Sequence, residues 1–201
     1  MSDSYTYING DNGIDNILQF MSYPSGRHES LIPEYSRQLG NYFYDKPCCQ
    51  VFSSNTGLFI GHRWEQISHL KSVQEHYKDT IRENKERKIS VSPDLMVICH
   101  FKWLDFDSRG YHGIPKIILE FQSPTDSTDD MTWKKDIYEA LGIEEYWVIK
   151  SIENVEVYRV MNNYAAVSYN TDIDKGILEI PCLLFDGLVI SIDRIFMERF
   201  I

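Results

Sequence analysis

The sequence predicts a mixed α/β fold, and three features carry that expectation. Two short apolar runs, 92–99 and 114–122, are rich in β-branched residues, contain an early proline and read as strands. Stretches near 31–43, 63–88 and 130–141 place apolar residues at helical spacing. A further pair of strand-like runs, 145–149 and 155–159, flanks the turn from Ser151 to Asn154.

The first strand pair carries the chemistry. Asp94 opens Ser92-Pro93-Asp94-Leu95-Met96-Val97-Ile98-Cys99, and Glu120 closes Ile114-Pro115-Lys116-Ile117-Ile118-Leu119-Glu120-Phe121-Gln122. Asp105, Asp107, Gly110 and Gly113 lie between them and supply turn chemistry. An antiparallel pairing of residue 94 with 120 also pairs 96 with 118 and 98 with 116, and centres the turn near Asp107. Strand side chains alternate with period two, so both carboxylates then share one sheet face. Two acids at one sheet end are costly unless a cation or a proton lies between them. The pair is a candidate metal site.

Composition narrows the class. A chain of 201 residues, 43% hydrophobic and 25% charged, fits one globular domain. No apolar run approaches the roughly 18 residues of a membrane span. Met1-Ser2-Asp3-Ser4-Tyr5 lacks the features of a signal peptide, so a cytoplasmic protein is expected. Cys48, Cys49, Cys99 and Cys182 show no C-x-x-C spacing and read as small hydrophobes in a reducing compartment, with no structural zinc. A formal charge of −10 argues against a surface that grips nucleic acid everywhere, while leaving room for a local basic track.

The remaining elements follow in chain order. Residues 1–24 are polar apart from the apolar run 17–21. A first helix follows Ser25, with Leu31, Ile32, Tyr35, Leu39, Tyr42 and Phe43 on its apolar side and a kink or a start expected at Pro33. Residues 50–54 and 57–60 read as a strand or a short bent pair. Residues 63–88 read as one polar helix with a narrow stripe of Ile67, Leu70, Val73, Tyr77 and Ile81. Its mixed lysines and glutamates, and His62, His69 and His76 at intervals of seven, suit a solvated face. The helix from about Asp130 to Leu141 ends at Gly142, and a last helical turn is expected from Asp193.

These residues carry a family resemblance. Ser92-Pro93-Asp94 with its strand, Gly113-Ile114-Pro115 leading to Glu120, Ser123-Pro124-Thr125, Lys134, Tyr138, Gly142 and Glu145-Tyr146-Trp147 together resemble a large bacterial family of restriction endonucleases in the PD-(D/E)xK nuclease superfamily. Upstream, Met21-Ser22-Tyr23-Pro24-Ser25-Gly26-Arg27-His28-Glu29 is similar to its turn before the histidine of the first helix. Pro181 to Phe196 resembles its closing segment, so the likeness spans about 25 to 200. Residues of about 61–90 stand out as a helical insertion in one nuclease-like domain covering 1–201.

The resemblance implies a restriction endonuclease-like fold, a mixed central sheet flanked by helices, and metal-dependent cleavage of phosphodiester bonds in DNA. Asp94 and Glu120 would bind Mg²⁺, with Mn²⁺ as a substitute. Where the superfamily signature places lysine, two residues after the acid, this chain has Gln122. In this family the lysine lies on the next helix, where Lys134 stands; Gln122 is the other candidate for positioning water, and Lys134 paired with Asp130 at the surface is the plain structural alternative. Lys116 and Lys150 replace acids usual in the family. His28 is a candidate catalytic residue, with Glu29 and Glu34 as further acids of the first helix; a helix-start histidine can equally serve a local hydrogen bond.

Two functions remain open on this reading: a Mg²⁺-dependent DNA endonuclease, and a catalytically inactive module that keeps the fold to bind DNA or another protein. A homodimer is expected for cutting both strands of a duplex, with residues 67–81 or the strand around Tyr146 as contact unless either is core.

Overall fold

The computed structural model describes residues 24–122, 128–151, 154–170, 172 and 179–191. The N-terminal apolar run 17–21 and the helical turn expected from Asp193 lie outside the described residues. Helix α1 (Pro24–Phe43) starts nine residues before Pro33 and carries that proline inside it, so the expected helix start at Pro33 is corrected. Pro33 is exposed, where water can satisfy the carbonyl that loses its donor. Leu31, Tyr35, Leu39 and Phe43 recur every four residues and are buried.

A six-stranded mixed sheet, ordered β1-β4-β7-β8-β9-β10, forms the centre. Its strands are β1 (Cys49–Ser53), β4 (Leu95–Cys99), β7 (Ile117–Phe121), β8 (Glu145–Ile149), β9 (Asn154–Arg159) and β10 (Ala166–Asn170). Among the described residues of this sheet, only β7 and β8 pair in parallel. Helix α5 (Thr128–Leu141) makes that parallel crossover, and Gly142 ends it with φ of 76°. Every residue of β7 and β8 is buried, which explains their continuous apolar runs.

Alternation divides the core into two layers. Leu95, Val97, Leu119, Phe121 and Trp147 pack beneath α1. Met96, Ile98, Ile118, Tyr146 and Val148 face the other way, onto Trp133, Ile137, Tyr138 and Leu141 of α5. Even-numbered positions of β4, β7 and β8 therefore look towards α5.

The single polar helix expected over 63–88 is instead three short ones: α2 (Trp64–Ile67), α3 (Lys71–His76) and α4 (Lys78–Arg82). Leu70, extended at ψ of 125°, breaks the first junction, and Tyr77, at ψ of 17°, breaks the second. The reason is packing. Ile67 and Val73 are six residues apart and would point about 120° away from each other on a straight helix. The break lets both reach full burial in the core that includes Trp133 and Ile137. The Ser72 hydroxyl donates to Asp136 of α5, and the His76 ring stacks on Trp133 at 3.8 Å. His62, His69 and His76 are exposed, though His62 also stacks on Phe59 at 5.2 Å.

The two halves of the segment 50–60 belong to different sheets. β1 is the edge of the central sheet, whereas β2 (Leu58–Phe59) joins β3 (Ser90–Val91), β5 (Phe106–Asp107) and β6 (Gly110–Tyr111) in a small sheet ordered β3-β2-β6-β5. Gly110 has φ of 121°, and a side chain there would meet the Gly57 carbonyl oxygen at 2.7 Å, so the β2–β6 contact requires glycine. β3 runs directly into the Ser92-Pro93-Asp94 turn.

The cysteine reading needs correction. Cys49 and Cys99 are cross-strand partners on β1 and β4 and form a disulfide, with Cα atoms 4.0 Å apart. Cys48 and Cys182 are free thiols.

Candidate active site

Leu95 faces Leu119, Met96 faces Ile118 and Val97 faces Ile117. This is the register that the alternation of the two runs implies, and its continuation sets residue 94 opposite 120. Asp94 is half-buried, and its Oδ2 accepts a hydrogen bond of 2.8 Å from the Phe121 amide. A carboxylate here replaces the next carbonyl of the β4–β7 ladder, so the side chain is fixed against the end of β7.

Glu120 is 3% exposed, a rare burial for a carboxylate. Two groups of α5 compensate it. Lys134 Nζ lies 2.8 Å from Oε2, and the Tyr138 hydroxyl donates to Oε1 at 2.7 Å. Residues 134 and 138 are one helical turn apart, so one face of α5 delivers both donors. Lys134 thus pairs with Glu120, and the ammonium is directed inward.

Burial pushes the Glu120 carboxyl up to about 7. Lys134 opposes this shift, the charge of Asp94 adds to it, and the Lys134 and Tyr138 hydrogen bonds oppose it further. The charge of Asp94 thus reaches Glu120. Among the described residues, no cluster of three or more His, Cys, Asp or Glu is arranged to hold a metal ion. The donor set is two carboxylates.

The other residues singled out in the sequence lie around or away from this pair. Gln122 is half-buried just past β7, its backbone N–H donating to the Ile149 carbonyl at 2.9 Å. His28 and Glu29 belong to α1, and their side chains lie outside the described residues. Glu34 accepts hydrogen bonds from Arg37 and Gln38 along α1. Lys116 pairs with Glu144, and Lys150 with Glu156. Glu145 of the Glu-Tyr-Trp run serves the core: it is 1% exposed and ion-paired with Arg159, itself 2% exposed. Tyr138 is a site residue that the sequence analysis named only as part of the family resemblance. Its i, i+4 relation to Lys134 was the available signal.

Comparison with known proteins now bears on this geometry. The family model Uma2, described as "Putative restriction endonuclease", matches residues 10–184. The chain belongs to the Uma2 family. No curated protein matches it. Its fold is similar to the crystal structure at 1.96 Å of "a putative nuclease belonging to DUF820 from Anabaena variabilis ATCC 29413". The TM-score is 0.59 at 16% identity, over 85% of this chain and 80% of that one, a likeness of fold. The Uma2 chain thus joins a nuclease-type mixed sheet to a buried acid at the end of β7.

Proposed function

We propose that this Uma2 protein is a bacterial, metal-dependent endonuclease that hydrolyses phosphodiester bonds of DNA. The observation that carries the reading is the cross-strand pair Asp94 and Glu120 with the Lys134 ammonium 2.8 Å from Glu120. Two hard oxygen donors suit Mg²⁺ or Mn²⁺, which bind through one or two carboxylates and complete their shells with water and phosphate oxygens. A carboxylate offers about four lone-pair positions, so the bonds from Lys134 and Tyr138 leave Glu120 capacity for a cation. Bound there, the ion would supply an acidified water and neutralise charge at the scissile phosphate.

The chain's own groups do the rest. Asp94, pinned by the Phe121 amide, and Glu120, pinned by Tyr138, present fixed oxygens that need little reorganisation. Lys134 holds a positive charge beside Glu120 and can shift towards a phosphate oxygen as charge builds in the transition state. Gln122 follows on the same strand and can orient water from its amide. Two copies acting on opposite strands would cut a duplex; of the contacts that the sequence suggested, Ile67, Val73 and Tyr146 are buried in the core, while Leu70, Tyr77 and Ile81 are half-buried. Among the described residues no helix is long and apolar enough to cross a membrane. We propose a cytoplasmic location for the protein.

The direct test is nicking of supercoiled DNA by the wild type, Asp94→Ala and Glu120→Ala with Mg²⁺, Mn²⁺ or chelator. Metal-dependent nicking lost in both variants is expected. The second reading, a catalytically inactive module for DNA binding or protein interaction, draws on Gln122 in the strand-lysine position and the charge of −10. Tight DNA binding without cleavage under any divalent ion would favour it.

A further inference from the structure

Beyond Glu120 on the same sheet face lies a cleft of about 240 Å³, open to solvent and lined by groups the mechanism above does not use, together with Gln122. Its floor includes Tyr146, which is 0% exposed and whose hydroxyl has no hydrogen-bond partner. A buried phenol without a partner is costly unless something else satisfies it. Tyr146 lies close enough to Glu120 and Asp94 to feel both charges, and its hydroxyl is held protonated, so it is a donor.

The rest of the lining suits a nucleotide. Tyr158, the cross-strand partner of Tyr146, stacks on it with ring centroids 5.6 Å apart and contributes a half-buried aromatic wall. Met131 of α5 adds a polarisable thioether. Lys135 and Lys150 stand at the cleft; Lys150 pairs with Glu156, which also accepts from Tyr158, and Lys135 pairs with Glu139 of α5. Both ion pairs are partly open to water, so either ammonium can turn from its carboxylate to a phosphodiester. Val148, opposite Glu120 in the β7–β8 pairing, also lines it, so the cleft adjoins the carboxylates.

We propose that this cleft is the subsite for the nucleotide next to the scissile phosphate, with Tyr146 donating a hydrogen bond to it, Tyr158 and Met131 packing on the base, and Lys135 and Lys150 drawing in its phosphate. The proposal rests on the nuclease reading for the position of the cut, while the binding site itself has its own test. Aromatic stacking and lysine–phosphate attraction are sequence-tolerant, so the subsite binds a strand without selecting one base.

The experiment uses the full chain and an oligodeoxynucleotide carrying one 5-iodouracil, in Ca²⁺ buffer, with photo-cross-links mapped by mass spectrometry and affinity measured by anisotropy. Cross-links on Tyr158 or Met131 are expected. Tyr146→Phe keeps the ring and should weaken binding about fivefold, the worth of one neutral hydrogen bond, with no loss of melting temperature. Lys150→Gln should weaken binding and flatten its salt dependence. Cross-links confined to residues outside the cleft, no binding of the probe, or a Tyr146→Phe protein that binds like wild type would each overturn the proposal. A wild type that cuts DNA while Tyr146→Phe binds and cuts equally well removes the subsite and leaves the nuclease. Tyr146-dependent binding in the cleft without any cutting keeps the subsite and removes the nuclease.

Discussion

Lys134 and Glu120 meet from different elements, the ammonium on α5 and the carboxylate at the end of β7, with 2.8 Å between Nζ and Oε2. The lysine that a PD-(D/E)xK signature would place on the strand reaches the acid here from the helix. Its charge offsets part of the burial cost of Glu120.

Lys134→Ala should therefore keep metal binding and lose turnover. Removal of one preorganised donor costs about 10²-fold or more in kcat, and that is the expected size. Calorimetric titration of Mn²⁺ alongside single-turnover cleavage separates the two effects. A parallel collapse of Mn²⁺ affinity would instead make Lys134 part of the metal site's framework.

Glu120 ties stability to pH in the metal-free protein. Below about 4.5 its carboxyl is protonated whether the chain is folded or unfolded. Between that value and about 7 the unfolded chain ionises it and the folded chain resists. Stability should fall as pH rises through this window, by up to about 3 kcal/mol, and flatten above it. Urea melts from pH 4 to 8 measure the slope. Glu120→Gln should remove its contribution, and saturating Mg²⁺ should reverse the loss by favouring the carboxylate.

The register of the carboxylate pair was legible because two β-branched runs of matched length and period two allow few pairings that bury both. The helix carrying Lys134 was legible from its apolar stripe and its closing glycine. Other features depend on partners distant in the chain. No local pattern announces that β1 would lie against β4, so the Cys49–Cys99 pairing could not be read from spacing. The breaks at Leu70 and Tyr77 arise because Ile67 and Val73 both pack into the core around α5, a tertiary demand that overrides helical periodicity. The small sheet is built from two-residue strands, too short to show alternation. The Tyr146 hydroxyl became a candidate only when its lack of a partner was visible.

The disulfide gives a prediction of its own. Cys49 and Cys99 are 50 residues apart in sequence, and a loop of that length restricts the unfolded chain by up to about 4 kcal/mol. Reduction should lower the urea midpoint accordingly. Cleavage well below the melting temperature should persist, because Cys99 closes β4 at the end opposite Asp94. Loss of cleavage on mild reduction, without unfolding, would show that the bond shapes the site.

The short helices α2 and α3 should matter to the site through α5. Ile67→Ala empties a fully buried position in the core shared with Trp133 and Ile137, at a cost of about 2–5 kcal/mol. Melting temperature and single-turnover rate should fall together, since the same helix carries Lys134 and Tyr138. A full-rate Ile67→Ala protein with only reduced stability would uncouple these helices from the site.

If Asp94 and Glu120 share one divalent ion, anomalous diffraction from crystals soaked in Mn²⁺ at pH 8 will locate it between them. One Mn²⁺ peak is expected about 2.1 Å from an oxygen of each carboxylate, absent in Asp94→Ala crystals soaked alike. Saturating Mn²⁺ with no peak between these two side chains, and Glu120 still paired with Lys134 as before, would contradict a shared ion.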